Sequence, residues 1–195
     1  MNTDININVK HKEARSKQGI LEATIEMLAA NSYSSLTIEA VASQAGVGKS
    51  TIYRWWNNKA RLVLDAFLMT AESEFDFDAD KPIQDNFRQQ LEALARILNS
   101  PIGKSTLTIV TENDEIAKDF YTLFLITKRN TAKQALQAAI DKGEVKSAVN
   151  LDVVLDLLYG PIYFQILIYK KIPDEDYIND LLIHVMNGIA AAAAN

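Results

Sequence analysis

The chain has no cysteine among its 195 residues and only two histidines. Disulfides, thiolate nucleophiles and cysteine-ligated zinc are therefore excluded. His11 and His184 stand far apart with no partner at metal-ligand spacing, so no metal site is expected. No apolar run reaches the roughly 18–20 residues that cross a bilayer without an interrupting charge. The opening MNTDININVKHKEARSK is polar and lacks the apolar core of a secretory signal, which points to a cytoplasmic address. Scattered Asp and Glu form no acid–base pair, and no nucleophile has a base beside it, so neither an enzyme nor a cofactor is expected. The alternating pattern of a β-strand is missing as well.

About half of the chain is apolar (48%), enough for a real core. Its net charge of −5 is unevenly spread: residues 1–70 hold eight Lys/Arg against six Asp/Glu, and residues 71–195 hold twelve against nineteen. A slightly basic amino-terminal piece is joined to an acidic body. DNA responds to the field at the docking face, so the total charge does not exclude it as a partner.

Helical periodicity runs throughout. Ile20, Leu21, Thr24, Ile25 and Leu28 form one stripe of a first helix from about Lys12 to Ala30. Thr37 suits the N-cap of a short second helix, which carries Ile38, Val41, Ala42 and Ala45 inward and ends at Gly46. A third runs from about Gly48 to Trp55, and Asn58 caps a fourth from Lys59 to about Ser73. The acidic stretch ESEFDFDADKP reads as a solvated loop. Pro82 opens a helix with Ile83, Phe87, Leu91, Leu94 and Leu98, and a shorter helix follows NSP at 99–101. A long helix is expected from Glu115 to Lys142, closed by Gly143. The segment LDVVLDLLYGPIYFQILIY is apolar nearly all round and should bend at Gly160-Pro161. A last helix follows Pro173 and frays in AAAAN. The sum is an all-α chain of about nine helices: three short ones, then a bundle.

The stretch SQAGVGKST (43–51) first suggests a phosphate-binding loop. That motif needs a glycine five positions before Gly48, where Ser43 stands, and it must hang from a buried strand. LTIEAVASQ upstream is helical. Two short helices joined by a glycine turn instead describe a helix-turn-helix. Ala42 lets the helix axes approach, Gly46 makes the turn, and Val47 and Ile52 wedge between them. The second helix then offers Lys49, Ser50, Thr51, Tyr53 and Arg54 to a groove of double-stranded DNA. Arginine can pair bidentately with guanine, hydroxyls reach bases or phosphates, and Tyr53 and Lys59 can hold the backbone.

With these residues on the page, TIEAVASQAGVGKSTIYRWWNNKARLVLDAF (37–67) resembles the DNA-binding module of the TetR family, the tetracycline-repressor-like transcriptional regulators. The resemblance rests on Thr37, Ala42, Ala45, Gly46, Val47, Tyr53, Trp55, Trp56, Asn58, Lys59 and Leu62. It implies that Thr37, Tyr53 and Lys59 bind phosphate, while Lys49, Ser50, Thr51 and Arg54 face bases or backbone. Two positions depart from the family pattern. Gly48 replaces a serine at the start of the recognition helix, and Trp55 replaces a histidine, leaving its role open between stacking, an N–H to phosphate, and packing. Trp56 reads as core.

The resemblance further implies a helix-turn-helix domain over 1–60 and a helical ligand-binding and dimerisation domain over 61–195. A sequence-specific regulator, released as a repressor from a palindromic operator by a small-molecule effector, follows from it. Phe67, Phe87, Leu91, Phe120, Tyr121, Phe124, Tyr159 and Tyr163 are the candidate lining of an effector pocket, and Lys128 and Arg129 could meet an anionic ligand. Leu155, Phe164, Leu167, Ile178, Leu182, Val185 and Ile189 are candidates for a homodimer interface, since the last two helices are apolar on more than one side. The competing readings are a bundle enzyme using GVGKST for a nucleotide, and an effector-free DNA-binding protein.

Overall fold

A computed structural model of the chain describes the backbone of residues 2–72 and 74–190, and the side chains from residue 13 onward with Ser73 excepted. His11 and the expected fraying of 191–195 lie outside the described side chains. Among the described residues the elements are α1 (Asn2–Ala30), α2 (Ile38–Gln44), α3 (Lys49–Trp55), α4 (Lys59–Ala71), α5 (Ile83–Asn99), α6 (Pro101–Glu112), α7 (Asp114–Phe120), a π turn (Tyr121–Leu125), α8 (Ile126–Asp141), α9 (Leu151–Leu167) and α10 (Glu175–Ile189). The π turn follows α7 and leads into α8, so the helical run expected from Glu115 to Lys142 is present. With that run counted once, the described residues hold nine helices. Extended pairing among the described residues is limited to one isolated bridge, Val145 with Ala190.

The chain divides into two compact units: residues 1–70 with 100–120, and residues 71–99 with 121–195. The sequence expectation is a single cut after residue 60; by packing, residues 100–120 group with the amino-terminal helices. In the first unit α1 packs on α2 and α6, because α6 is part of this unit and covers a face of α1 that three short helices would leave bare. Ile20, Leu28, Val41, Ile52, Leu62 and Phe67 are buried here. Trp56 is almost fully enclosed, and its indole N–H donates to Asp65 Oδ2 at 3.0 Å. Asp65 also accepts from Arg61 Nε at 3.1 Å, and the same guanidinium pairs with Asp119 of α7.

Helix ends follow the chemistry of their residues. Thr37 Oγ1 accepts from the Ala40 N–H at 3.2 Å, Asn58 Oδ1 from the Arg61 N–H at 2.8 Å, and Asp174 Oδ1 from the Tyr177 N–H at 2.9 Å. Gly46 and Gly143 take φ of 65° and 77°, the left-handed geometry that lets each end its helix.

In the second unit α5 packs against α9 and α10, and α8 against α9. Phe87 is fully buried, edge-on to Phe77 and Tyr159 at centroid distances of 5.4 and 6.3 Å. The acidic stretch before Pro82 is tied down more than a solvated loop would be. Asn86 Oδ1 accepts from the Asp78 N–H at 2.8 Å, its Nδ2 donates to the Asp78 and Lys81 carbonyls, and Gln90 donates to the Asp76 carbonyl. Phe75 is buried within the same stretch. Helix α9 runs through Pro161 unbroken, since its preset φ is helical and only one backbone donor is lost.

Candidate functional site

Two short helices and a left-handed glycine assemble the first surface. Ile52 of α3 and Trp56, which caps its end, are buried, which turns Lys49, Ser50, Tyr53 and Arg54 to the exterior on one face. Thr51 is half-buried at its edge. Gly48 is the N-cap of α3 with extended backbone and no side chain to cap it. A helix, not a strand, precedes GVGKST, so the nucleotide cradle is absent and the departure at Gly48 marks a helix start instead.

The basic groups on this face are already engaged. Lys49 Nζ lies 2.6 Å from Glu39 of α2, and this hydrogen bond holds the Glu39 carboxyl below its ordinary range. Arg54 lies 3.6 Å from Glu13 of α1. Lys59 Nζ donates to the carbonyls of Tyr33 and Leu36 at 2.9 and 2.8 Å and rests 4.2 Å from the Tyr33 ring centroid. Burial lowers its pKa. Lys59 is thus a tie between α4 and the turn after α1, with one N–H left over. Trp55 is only partly exposed, and Lys17 lies 5.7 Å from its ring centroid. Thr37 Oγ1 is the cap acceptor of α2, which leaves its hydroxyl proton to donate. The acidic partners Glu13 and Glu39 were not legible from the motif; Glu39, ten residues before Lys49, becomes its neighbour only once the turn is made.

The second feature is a cavity of about 530 Å³ inside the unit formed by 71–99 and 121–195. Tyr121, Phe124, Tyr159 and Tyr163 line it, as the sequence predicts. Phe87 and Leu91 are fully buried in α5 rather than lining it, and Phe67 and Phe120 pack on each other at 5.7 Å in the other unit. These four were chosen as aromatic or apolar residues on helices, and core packing claims such residues first. The walls that the sequence did not reveal are Phe75, Leu94, Leu125 and Gly160. A Cβ built on Gly160 would meet nothing within 4 Å, so this glycine faces open space.

Lys128 and Arg129 reach the rim but are committed to the protein. Arg129 donates to Asp156 Oδ1 at 2.6 Å and Asp152 Oδ1 at 2.9 Å, and Lys133 lies 2.7 Å from Asp152. Lys128 donates to the Glu72 carbonyl at 3.0 Å. The i, i+4 spacing of Asp152 and Asp156 was the available sign of a two-carboxylate clamp. His184 Nδ1 lies 2.6 Å from the Asp180 carbonyl, and no group of metal-binding side chains occurs among the described residues.

A third feature is apolar and outward. Val153, Leu157 and Phe164 of α9 and Ile183 of α10 are about half exposed. Of the expected interface residues, Leu155, Ile178, Leu182 and Ile189 are instead buried in the chain's own core, because α5 consumes the inner stripes of α9 and α10. Leu167 and Val185 are half-buried, and Phe164 is exposed. No helix among the described residues is long and apolar enough to cross a membrane.

These features have counterparts in known proteins. Residues 20–66 match the family model of bacterial regulatory proteins of the tetR family, and residues 81–185 match a tetracyclin repressor-like carboxy-terminal domain. YdeS of Bacillus subtilis, an HTH-type transcriptional regulator, is 31% identical over 94% of both chains. The crystal structure of the TetR family transcription regulator SCO0332 superposes with a TM-score of 0.75 at 26% identity, over 90% of this chain and 98% of that one. FadR from Bacillus subtilis, solved in complex with stearoyl-CoA, shares the fold with a TM-score of 0.65 at 21% identity, over 88% of this chain and 98% of the other. The helix-turn-helix of residues 37–55 and the helical body that follows it are those of one lineage, and the chain belongs to the TetR family of DNA-binding transcriptional regulators.

Proposed function

We propose that the chain acts as a homodimeric repressor that leaves its operator when a small molecule occupies the cavity of the carboxy-terminal unit. The observation that carries the effector half is the cavity itself: about 530 Å³, with five aromatic residues among the twelve that line it, within the size range of small-molecule sites. The exposed stripe of Val153, Leu157, Phe164 and Ile183 supports a two-fold pairing of α9 and α10 with a second copy, since an apolar stripe of this kind is stabilised by a partner. In that dimer two copies of α3 address two half-sites, with Lys49, Ser50, Tyr53 and Arg54 in the major groove and Thr37 and Lys59 supplying donors to phosphate.

Coupling would follow the chain. It crosses between the two units after Thr70, Asn99 and Phe120. The third crossing opens the π turn, three of whose residues, Tyr121, Phe124 and Leu125, line the cavity. π turns are strained insertions in a helix and can revert to α geometry. A ligand that prefers one form of the turn shifts the population of the other by its difference in affinity. Selecting bound DNA from a random pool tests the reading. A palindrome with half-sites spaced by about one helical turn, 10–10.5 base pairs or a multiple, is expected. A single unrepeated half-site would overturn the dimeric operator.

A further inference from the structure

The charges at the cavity cancel. Lys128, Arg129, Asp152 and Asp156 all line it, and each is held by a protein partner. Both arms of the Arg129 guanidinium lie on carboxylates, with a further contact to the Asp152 carbonyl at 3.3 Å. An anionic ligand would have to strip Arg129 from Asp152 and Asp156, then lie against the two carboxylates it had exposed. A cationic ligand would have to displace the guanidinium itself. Lys128 donates to the Glu72 carbonyl and lies 5.5 Å from the Phe75 ring centroid, contacts an anion would have to compete with. At the Arg129 cluster neither sign of charge gains from entering.

The uncommitted polar atoms are phenols. Tyr159 and Tyr163 stand one turn apart on α9 and line the same cavity. Neither hydroxyl has a hydrogen-bond partner among the described residues, nor does that of the more exposed Tyr121, whereas Lys128, Arg129, Asp152 and Asp156 each have one. Burial pushes both phenols above their ordinary range, and for Tyr159 the neighbouring Tyr163 adds to the effect. Both therefore remain protonated and offer an O–H. A carbonyl oxygen has two lone pairs and can accept from both at once. Phe75 and Phe124, edge to face at 5.5 Å, supply flat apolar walls nearby.

We propose that the effector is an uncharged aromatic molecule bearing a carbonyl-type acceptor, which the paired phenols of Tyr159 and Tyr163 recognise. This rests on the reading of the cavity as an effector site, but its test needs no DNA. Three probes of one shape separate the contributions: benzophenone has the rings and the ketone, diphenylmethane lacks the ketone, and benzoylbenzoate adds a carboxylate. Titration calorimetry on the full chain should show benzophenone binding about tenfold more tightly than either of the others, the equivalent of one well-made hydrogen bond. Tyr159→Phe and Tyr163→Phe should each weaken benzophenone severalfold and leave diphenylmethane unchanged. Irradiating bound benzophenone should crosslink it within the cavity walls, which places the site independently of affinity. Tighter binding of benzoylbenzoate, indifference of benzophenone to both tyrosine variants, or no benzophenone binding up to its solubility would overturn the proposal. Benzophenone that binds with these preferences but leaves the operator complex intact would uphold the ligand class and refute the coupling to DNA.

Discussion

Replacing Lys59 by methionine separates two jobs that one ammonium can hold. Its Nζ donates to the Tyr33 and Leu36 carbonyls at 2.9 and 2.8 Å and faces the Tyr33 ring at 4.2 Å. Hydrogen bonds from a charged donor contribute about 1.5–3 kcal/mol each, and a cation–π contact about 0.5–1 kcal/mol. The simple total overstates the loss, because Lys59 is only half-buried and water can reach the vacated carbonyls. Methionine also keeps the stem that packs over the turn. Stability should therefore fall by about 2 kcal/mol, read as a lower urea midpoint with an unchanged slope. One N–H remains for a DNA phosphate. If it is used, the slope of log affinity against log salt should become shallower by about 0.9. A change in stability below about 0.5 kcal/mol would refute the tie. An unchanged salt slope would refute the phosphate contact, and the two results are independent of each other.

Glu39→Gln should free Lys49 and raise affinity for random-sequence DNA by a small factor, without altering the preferred sequence; a filter or polarisation assay at low salt measures it, and an unchanged or lower affinity would show that the pair does not compete with DNA. If the proposed dimer forms through the outer stripe, Phe164→Asp should give monomers in sedimentation, because it places a carboxylate in that apolar stripe, while a dimer that survives would move the interface elsewhere. Desolvation holds the phenols of Tyr159 and Tyr163 above the ordinary phenol range, about 10, so in alkali the unfolded chain loses their protons first. Their contribution to stability is complete below that value and declines as pH climbs past it. Phenolate absorbance should show a delayed component that disappears when Tyr159 and Tyr163 are both replaced by phenylalanine, and its absence from the parent chain would argue against their desolvation.

Why some of this could be read from residues and some could not follows from the range of each interaction. Caps, turns and stripes are local, so Thr37, Gly46, Asn58 and Gly143 announce themselves within four or five residues of the groups they serve. The recognition face was equally legible, since placing Ile52 and Trp56 inward leaves Lys49, Ser50, Tyr53 and Arg54 no other side to occupy. The cavity and the outer stripe are not local. An apolar helix such as α9 has one stripe for α5 and another for something else, and periodicity cannot say which is which. Leu155 and Leu182 therefore read as interface candidates in the sequence and are buried within the chain's own core. Charge misled in the same way: Lys128 and Arg129 suggest an anion until Asp152 and Asp156, more than twenty residues later, arrive from α9 to neutralise the arginine. What distinguishes the cavity wall from core is the polar atom left over, and only folding reveals it. Tyr159 rests its ring against buried Phe87 as any core residue would, yet the same residue lines the cavity. A phenylalanine would satisfy the packing there. On the reading proposed above the hydroxyl serves a ligand's acceptor, and Tyr159→Phe separates that role from packing.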